Sequence, residues 1–136
     1  MEDNRGPIRV VYCEPGKFAR IKEIGTELED LQRAVGVLIE TCYPFEEAAC
    51  IVCNDEGKIN GMRPSRAVYG EDGRVSDIIF GPFFICDCSG EDFASLSEEQ
   101  LMRFEKQFRY PEYFFRKDNE IAVVRYDPTR GRDQER

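Results

Sequence analysis

At 136 residues the chain has the length of one domain, enough to bury a core without disulfides or metal. Hydrophobic residues at 41% and aromatics at 12% exclude a disordered polymer. A net charge of −8 excludes a general nucleic-acid binder, which needs clustered Lys and Arg, so no direct DNA binding is expected.

Residues 1–7 read as a flexible arm, with no signal-peptide pattern. Ile8 to Cys13 is β-branched and aromatic and predicts a strand. Glu14-Pro15-Gly16-Lys17 is a turn, and the imperfect alternation from Phe18 to Ile24 completes a hairpin. Thr26 and Glu29 fit a capping box that opens a helix. Leu28, Leu31, Val35, Leu38, Ile39 and Cys42 continue it at helical spacing until Pro44 ends it near Tyr43.

Ala48 to Cys53 is a short apolar run and predicts a buried strand, followed by a turn over 54–58 and an extended piece from Ile59. Arg63 to Tyr69 fits either a loop or one helical turn begun at Pro64. After an Asp72-Gly73 turn, Asp77 to Cys86 is the strongest strand, with a bulge, edge or break expected at Gly81-Pro82. Ser97 with Gln100, and Leu96 with Leu101, supply a capping box and a hydrophobic staple for a second helix. Leu101, Phe104 and Phe108 mark its buried face, and Pro111 closes it. Glu120 to Tyr126 is the last strand, and 127–136 a polar tail. The fold class that follows is α+β: a single domain over 8–126, with a mostly antiparallel sheet of four to six strands and two main helices packed on one face.

Several constellations bear on chemistry. The loop Asn60-Gly61-Met62-Arg63-Pro64-Ser65-Arg66 is the candidate ligand site. Arg63 and Arg66 could fork donors onto a phosphate or carboxylate, Asn60 and Ser65 add hydrogen bonds, and Tyr69 could stack on a base. The plainer alternative is a turn whose arginines pair with Glu56, Glu71 or Asp77. Glu29, Glu40, Glu46 and Glu47 offer an acidic face for a protein partner, or simply solvated surface. Cys50 and Cys53, with Cys86 and Cys88, have spacing that invites zinc, but strand alternation points positions 50 and 53 to opposite faces, so no metal and no cofactor is expected. The chain has no His, which removes the commonest general base and every Cys–His or Ser–His–Asp system. The reading is therefore a binding protein rather than an enzyme; the competing class is a small enzyme or zinc protein using its cysteines. Tyr110, Tyr113, Phe114 and Phe115 either cover the core or form a homodimer face. No apolar run reaches membrane length, and six cysteines suit a reducing cytosol.

One ordered set of short motifs carries a family resemblance: Glu14-Pro15-Gly16-Lys17, Tyr43-Pro44-Phe45, the run from Cys53 to Gly61, Arg66-Ala67, Glu71-Asp72-Gly73, Asp77-Ile78-Ile79, Gly81 and Phe83-Phe84-Ile85. Over roughly residues 8 to 108 it resembles a family of small proteins, classed as a domain of unknown function, carried by phages and conjugative elements of gut bacteria. Pro82 stands where relatives are expected to carry Thr or a similar residue. The resemblance implies a mobile-element accessory protein in the cytoplasm of a host bacterium. It implies no reaction. By association it suggests counter-defence, through sequestering a small anionic, nucleotide-like ligand or blocking a host protein.

Overall fold

The computed structural model describes residues 6–130. β1 (Ile8–Cys13) and β2 (Arg20–Ile24) form the expected antiparallel hairpin, in register from Ile8 opposite Ile24 to Tyr12 opposite Arg20. The following helix, α1, spans only Leu28–Val35. The Asp30 carboxylate accepts the Glu27 N–H at 3.2 Å, so the box sits one residue later than the Thr26–Glu29 pairing predicts.

α1 stops well short of Tyr43, and Gly36 is the reason. It leaves the helix at φ 111°, and a Cβ there would stand 2.2 Å from the Asn54 side-chain nitrogen. The chain then becomes a strand, β3 (Ile39–Cys42), paired antiparallel with β4 (Ala49–Asn54). The helical spacing of Leu38, Ile39 and Cys42 is thus overridden by a long-range partner, and Leu38 lies exposed.

Residues 55–61 are a run of turns rather than an extended piece, with Ile59 exposed. Arg63 to Tyr69 is neither loop nor helical turn. β5 (Pro64–Tyr69) pairs antiparallel with β6 (Val75–Phe80), with Pro64 at the strand's first position, where its missing donor costs nothing. Gly81 then breaks the apolar run as expected. At φ 87° its N–H reaches the Arg63 carbonyl at 2.8 Å, and the chain leaves the two-stranded ribbon for the central sheet as β7 (Phe83–Asp87).

The central sheet has the order β2-β1-β7-β4-β3 and is antiparallel throughout. Its rows run across several strands: Val11, Ile85 and Ile51 face one side, and Tyr12, Phe84 and Val52 the other. Both faces are therefore apolar, and every residue of β4 is buried. A sheet of that kind must be covered twice. Ala34 and Val35 of α1 cover the Tyr12/Phe84 face. α2 (Glu98–Gln107) covers the opposite face with Leu101 and Phe104, joined by Phe108 and by Val68 and Ile79 from the β5–β6 ribbon. The α+β class holds, but the expectation of both helices on one face does not.

α2 begins as expected. Ser97 Oγ accepts the Gln100 N–H at 3.1 Å, the Gln100 side-chain oxygen accepts the Ser97 N–H at 2.9 Å, and Leu96 and Leu101 are buried in one cluster. β8 (Glu112–Lys117) and β9 (Glu120–Arg125) form a second ribbon, turning through Asp118 and Asn119, both at positive φ as a two-residue hairpin requires. The buried Glu112 carboxylate docks this ribbon on the body by accepting the Ala67 N–H of β5 at 2.8 Å. Of the expected polar tail, residues 128–130 form one helical turn; residues 1–5 of the arm and 131–136 of the tail lie outside the described residues.

Candidate functional site

The candidate ligand loop is divided by the fold. Arg66 is fully buried. Its Nε–H donates to the Phe108 carbonyl at 2.9 Å, and its two terminal nitrogens donate to the carbonyls of Lys17 at 2.8 Å, Ser65 at 3.1 Å and Glu14 at 3.3 Å. That guanidinium ties the β1–β2 turn, the C-terminal end of α2 and β5 together, and has no face left for a ligand. Ser65 is equally buried. Arg63 and Asn60 are exposed, with the Arg63 guanidinium lying over Gly16. Tyr69 is also exposed but sits at the far end of β5, about 20 Å from Arg63 along an extended chain. The five residues do not converge.

The acidic residues are also separated. Glu29 lies on α1, over one face of the sheet. Glu47 belongs to the other face, where Arg103 of α2 donates to both its oxygens at 2.8 and 2.9 Å and Gln100 adds a third bond at 3.0 Å. Those Arg103 and Gln100 bonds pull its carboxyl down to about 2. Glu46 is exposed in the β3–β4 connection, and Glu40 is on edge strand β3.

The six cysteines are all free and partition by strand alternation. Cys50 and Cys86 are cross-strand neighbours beneath α1, with sulfurs 3.8 Å apart and Cys88 packed beside that cluster. Cys53 points through the opposite face, so Cys50, Cys53, Cys86 and Cys88 cannot close on one ion. Cys53 instead meets Cys42. Glu40 is paired directly opposite Cys53 on the β3–β4 ladder, and Cys42 is two residues along on the same face. One oxygen of Glu40 and the sulfurs of Cys42 and Cys53 all lie within 4.8 Å of one another. The Cys53 thiol is pushed up by its hydrogen bond to Cys42, then by burial; Cys42, the acceptor, is lowered.

This group lines a cleft of about 600 Å³ bounded by β3, β4, β6 and the β8–β9 ribbon. Its walls carry Phe80 and Phe114, three carboxylates (Glu40, Asp55, Asp77) and two cations (Lys58, Arg116). Partial desolvation raises the Glu40 carboxyl, and the charges of Asp55 and Asp77 push it further in the same direction. The volume is within the usual range for small-molecule sites. Sequence reasoning missed the cleft because it placed Cys42 on a helix. Read as a strand, Glu40-Thr41-Cys42 puts the carboxylate and thiol on one face, and that alternation was the available signal.

A family model matches residues 8–109. The chain belongs to the family described as Domain of unknown function (DUF3846). The match takes in the central sheet, both helices and the β5–β6 ribbon, and ends before the β8–β9 hairpin that forms one wall of the cleft. No curated protein and no solved structure matches the chain. Among the described residues, no helix is long and apolar enough to cross a membrane.

Proposed function

We propose that this DUF3846 protein is a non-enzymatic accessory protein of a phage or conjugative element, acting in the host cytoplasm by holding a small ligand in the cleft beside β3. The cleft carries the reading: about 600 Å³, aromatic walls, and charged groups of both signs at one place. A nucleotide-like ligand suits that chemistry. Phe80 and Phe114 offer apolar surface to a planar base, the carboxylates of Glu40 and Asp77 accept from exocyclic amines, and Lys58 and Arg116 meet a phosphate. Sequestration of such a signal is the counter-defence role that the family resemblance suggests. The burial of Arg66 moves the site away from the Asn60–Arg66 loop.

Calorimetry with a panel of nucleotides and cyclic nucleotides tests this. Binding that weakens at least about tenfold in Lys58→Ala/Arg116→Ala and persists in Asn60→Ala/Arg63→Ala is the expected result. Binding that follows Arg63 instead, or no heat with any member of the panel, refutes the cleft.

A second reading, protein binding, rests on a separate feature. The β8–β9 ribbon exposes Tyr113, Phe115 and Val124, each by about half. A host protein or a second copy of the chain would cover them. Light scattering of wild type against Tyr113→Ser/Phe115→Ser checks the homodimer; equal masses at the monomer value remove it.

A further inference from the structure

We propose that Glu40, Cys42 and Cys53 form a three-ligand site for a thiophilic divalent cation, zinc being the expected ion, with the fourth position open to the cleft. This deepens the cleft reading and rests on it. The backbone brings the ligands together: Glu40 opposes Cys53 across the β3–β4 ladder, and Cys42 is the next residue on that face. Their ligand atoms are already within 4.8 Å of one another. Zinc bonds of about 2.3 Å to sulfur and about 2.0–2.2 Å to oxygen would draw them slightly closer, which side-chain torsions can supply without moving the strands.

The donor set selects the ion. Two thiols with one carboxylate suit zinc or cadmium and disfavour magnesium and calcium, which take oxygen shells. Graded burial then shapes the site. Cys53 is inside, Cys42 is half-buried and Glu40 stands at the rim, so protein closes one side and the cleft the other. Three protein ligands with an open position leave room for a donor from a bound molecule. Charge points the same way, because Asp55 and Asp77 line the same cleft and a dication offsets the crowded carboxylates. The other cysteine group lacks these features: Cys50 and Cys86 are wholly buried beneath α1.

Cobalt titration of the reduced, chelator-treated full chain provides the test. One equivalent should bind with a thiolate-to-cobalt charge-transfer absorption in the near ultraviolet, and zinc should displace it. Cys42→Ser, which removes one of the two sulfur ligands, should lose at least about half of that absorption. Glu40→Gln, a change at an exposed residue that leaves the core intact, should keep the absorption but weaken cobalt and zinc binding at least about tenfold. Cys88→Ser, on the other face of the sheet, should match wild type. No charge-transfer band in wild type, full intensity in Cys42→Ser, unchanged affinity in Glu40→Gln, or loss in Cys88→Ser overturns the assignment. Nucleotide calorimetry on chelated and cobalt-loaded protein separates the two readings. Nucleotide heat without a cobalt spectrum defeats only the metal site; a cobalt spectrum without nucleotide heat defeats only the nucleotide reading.

Discussion

Replacing Arg66 by Met separates a structural arginine from a ligand-binding one. Met preserves much of the side chain's bulk but removes the guanidinium's three long-range hydrogen bonds, to the carbonyls of Glu14, Lys17 and Phe108. Three charge-assisted hydrogen bonds at about 1.5–3 kcal/mol each total about 5–9 kcal/mol. Removing a buried cation returns several kcal/mol of its desolvation penalty, so the net cost is about 3–5 kcal/mol. That is a large part of the stability of a domain this size, and corresponds to a melting temperature lower by about 12–20 °C. Arg66→Lys keeps the charge but only a point donor, so about half the loss is expected, ~2 kcal/mol. Urea unfolding followed by circular dichroism measures both, with a falling midpoint and an unchanged slope as the signature. An Arg66→Met protein within about 0.5 kcal/mol of wild type would refute the staple, since surface substitutions fall in that range.

Gly81→Ala should cost about 1–2 kcal/mol from its positive φ alone. A Cβ there would also stand 2.5 Å from the Met62 sulfur, so part of the loss should be recovered in Gly81→Ala/Met62→Ala; strict additivity by thermal unfolding would deny that contact. Glu47→Gln should lose about 0.5–1 kcal/mol at pH 7, small because the Glu47–Arg103 pair is partly exposed. The Glu47 carboxyl is depressed in the folded state, so its contribution is present above about pH 4.5 and fades as pH falls towards about 2. The gap between wild type and Glu47→Gln should therefore close over that interval in urea titrations, and a gap constant from pH 7 to 3 would contradict the assignment. Ser97→Ala should cost about 1 kcal/mol by removing the α2 cap, read as a lower thermal midpoint.

Strands β1, β4, β7 and β9 and the start of α2 were legible because their signals are local. Dense runs such as Phe83-Phe84-Ile85-Cys86, and Ser97 three residues before Gln100, act over a few neighbours. The opposite orientation of Cys50 and Cys53 also followed from strand alternation alone. Leu38, Ile39 and Cys42 carry a helical spacing that their pairing partner defeats, and with β3 misread the Glu40–Cys42–Cys53 group stayed hidden. The β5 strand needed β6 beside it before Arg63 to Tyr69 could be told from a loop.

Short-range preferences thus specified strands β1, β4, β7 and β9, the cap of α2, and that no imidazole chemistry exists in this chain. Which face each helix covers, the conversion of Arg66 from apparent ligand donor to internal staple, and the meeting of Cys42 with Cys53 depended on the assembled protein. Each joins groups that are remote along the chain or set by strand register: Arg66 bonds to carbonyls at positions 14, 17 and 108, and the two thiols meet across one ladder. A side chain's propensity is its own, whereas the polar groups and charges it meets when buried are supplied by other segments.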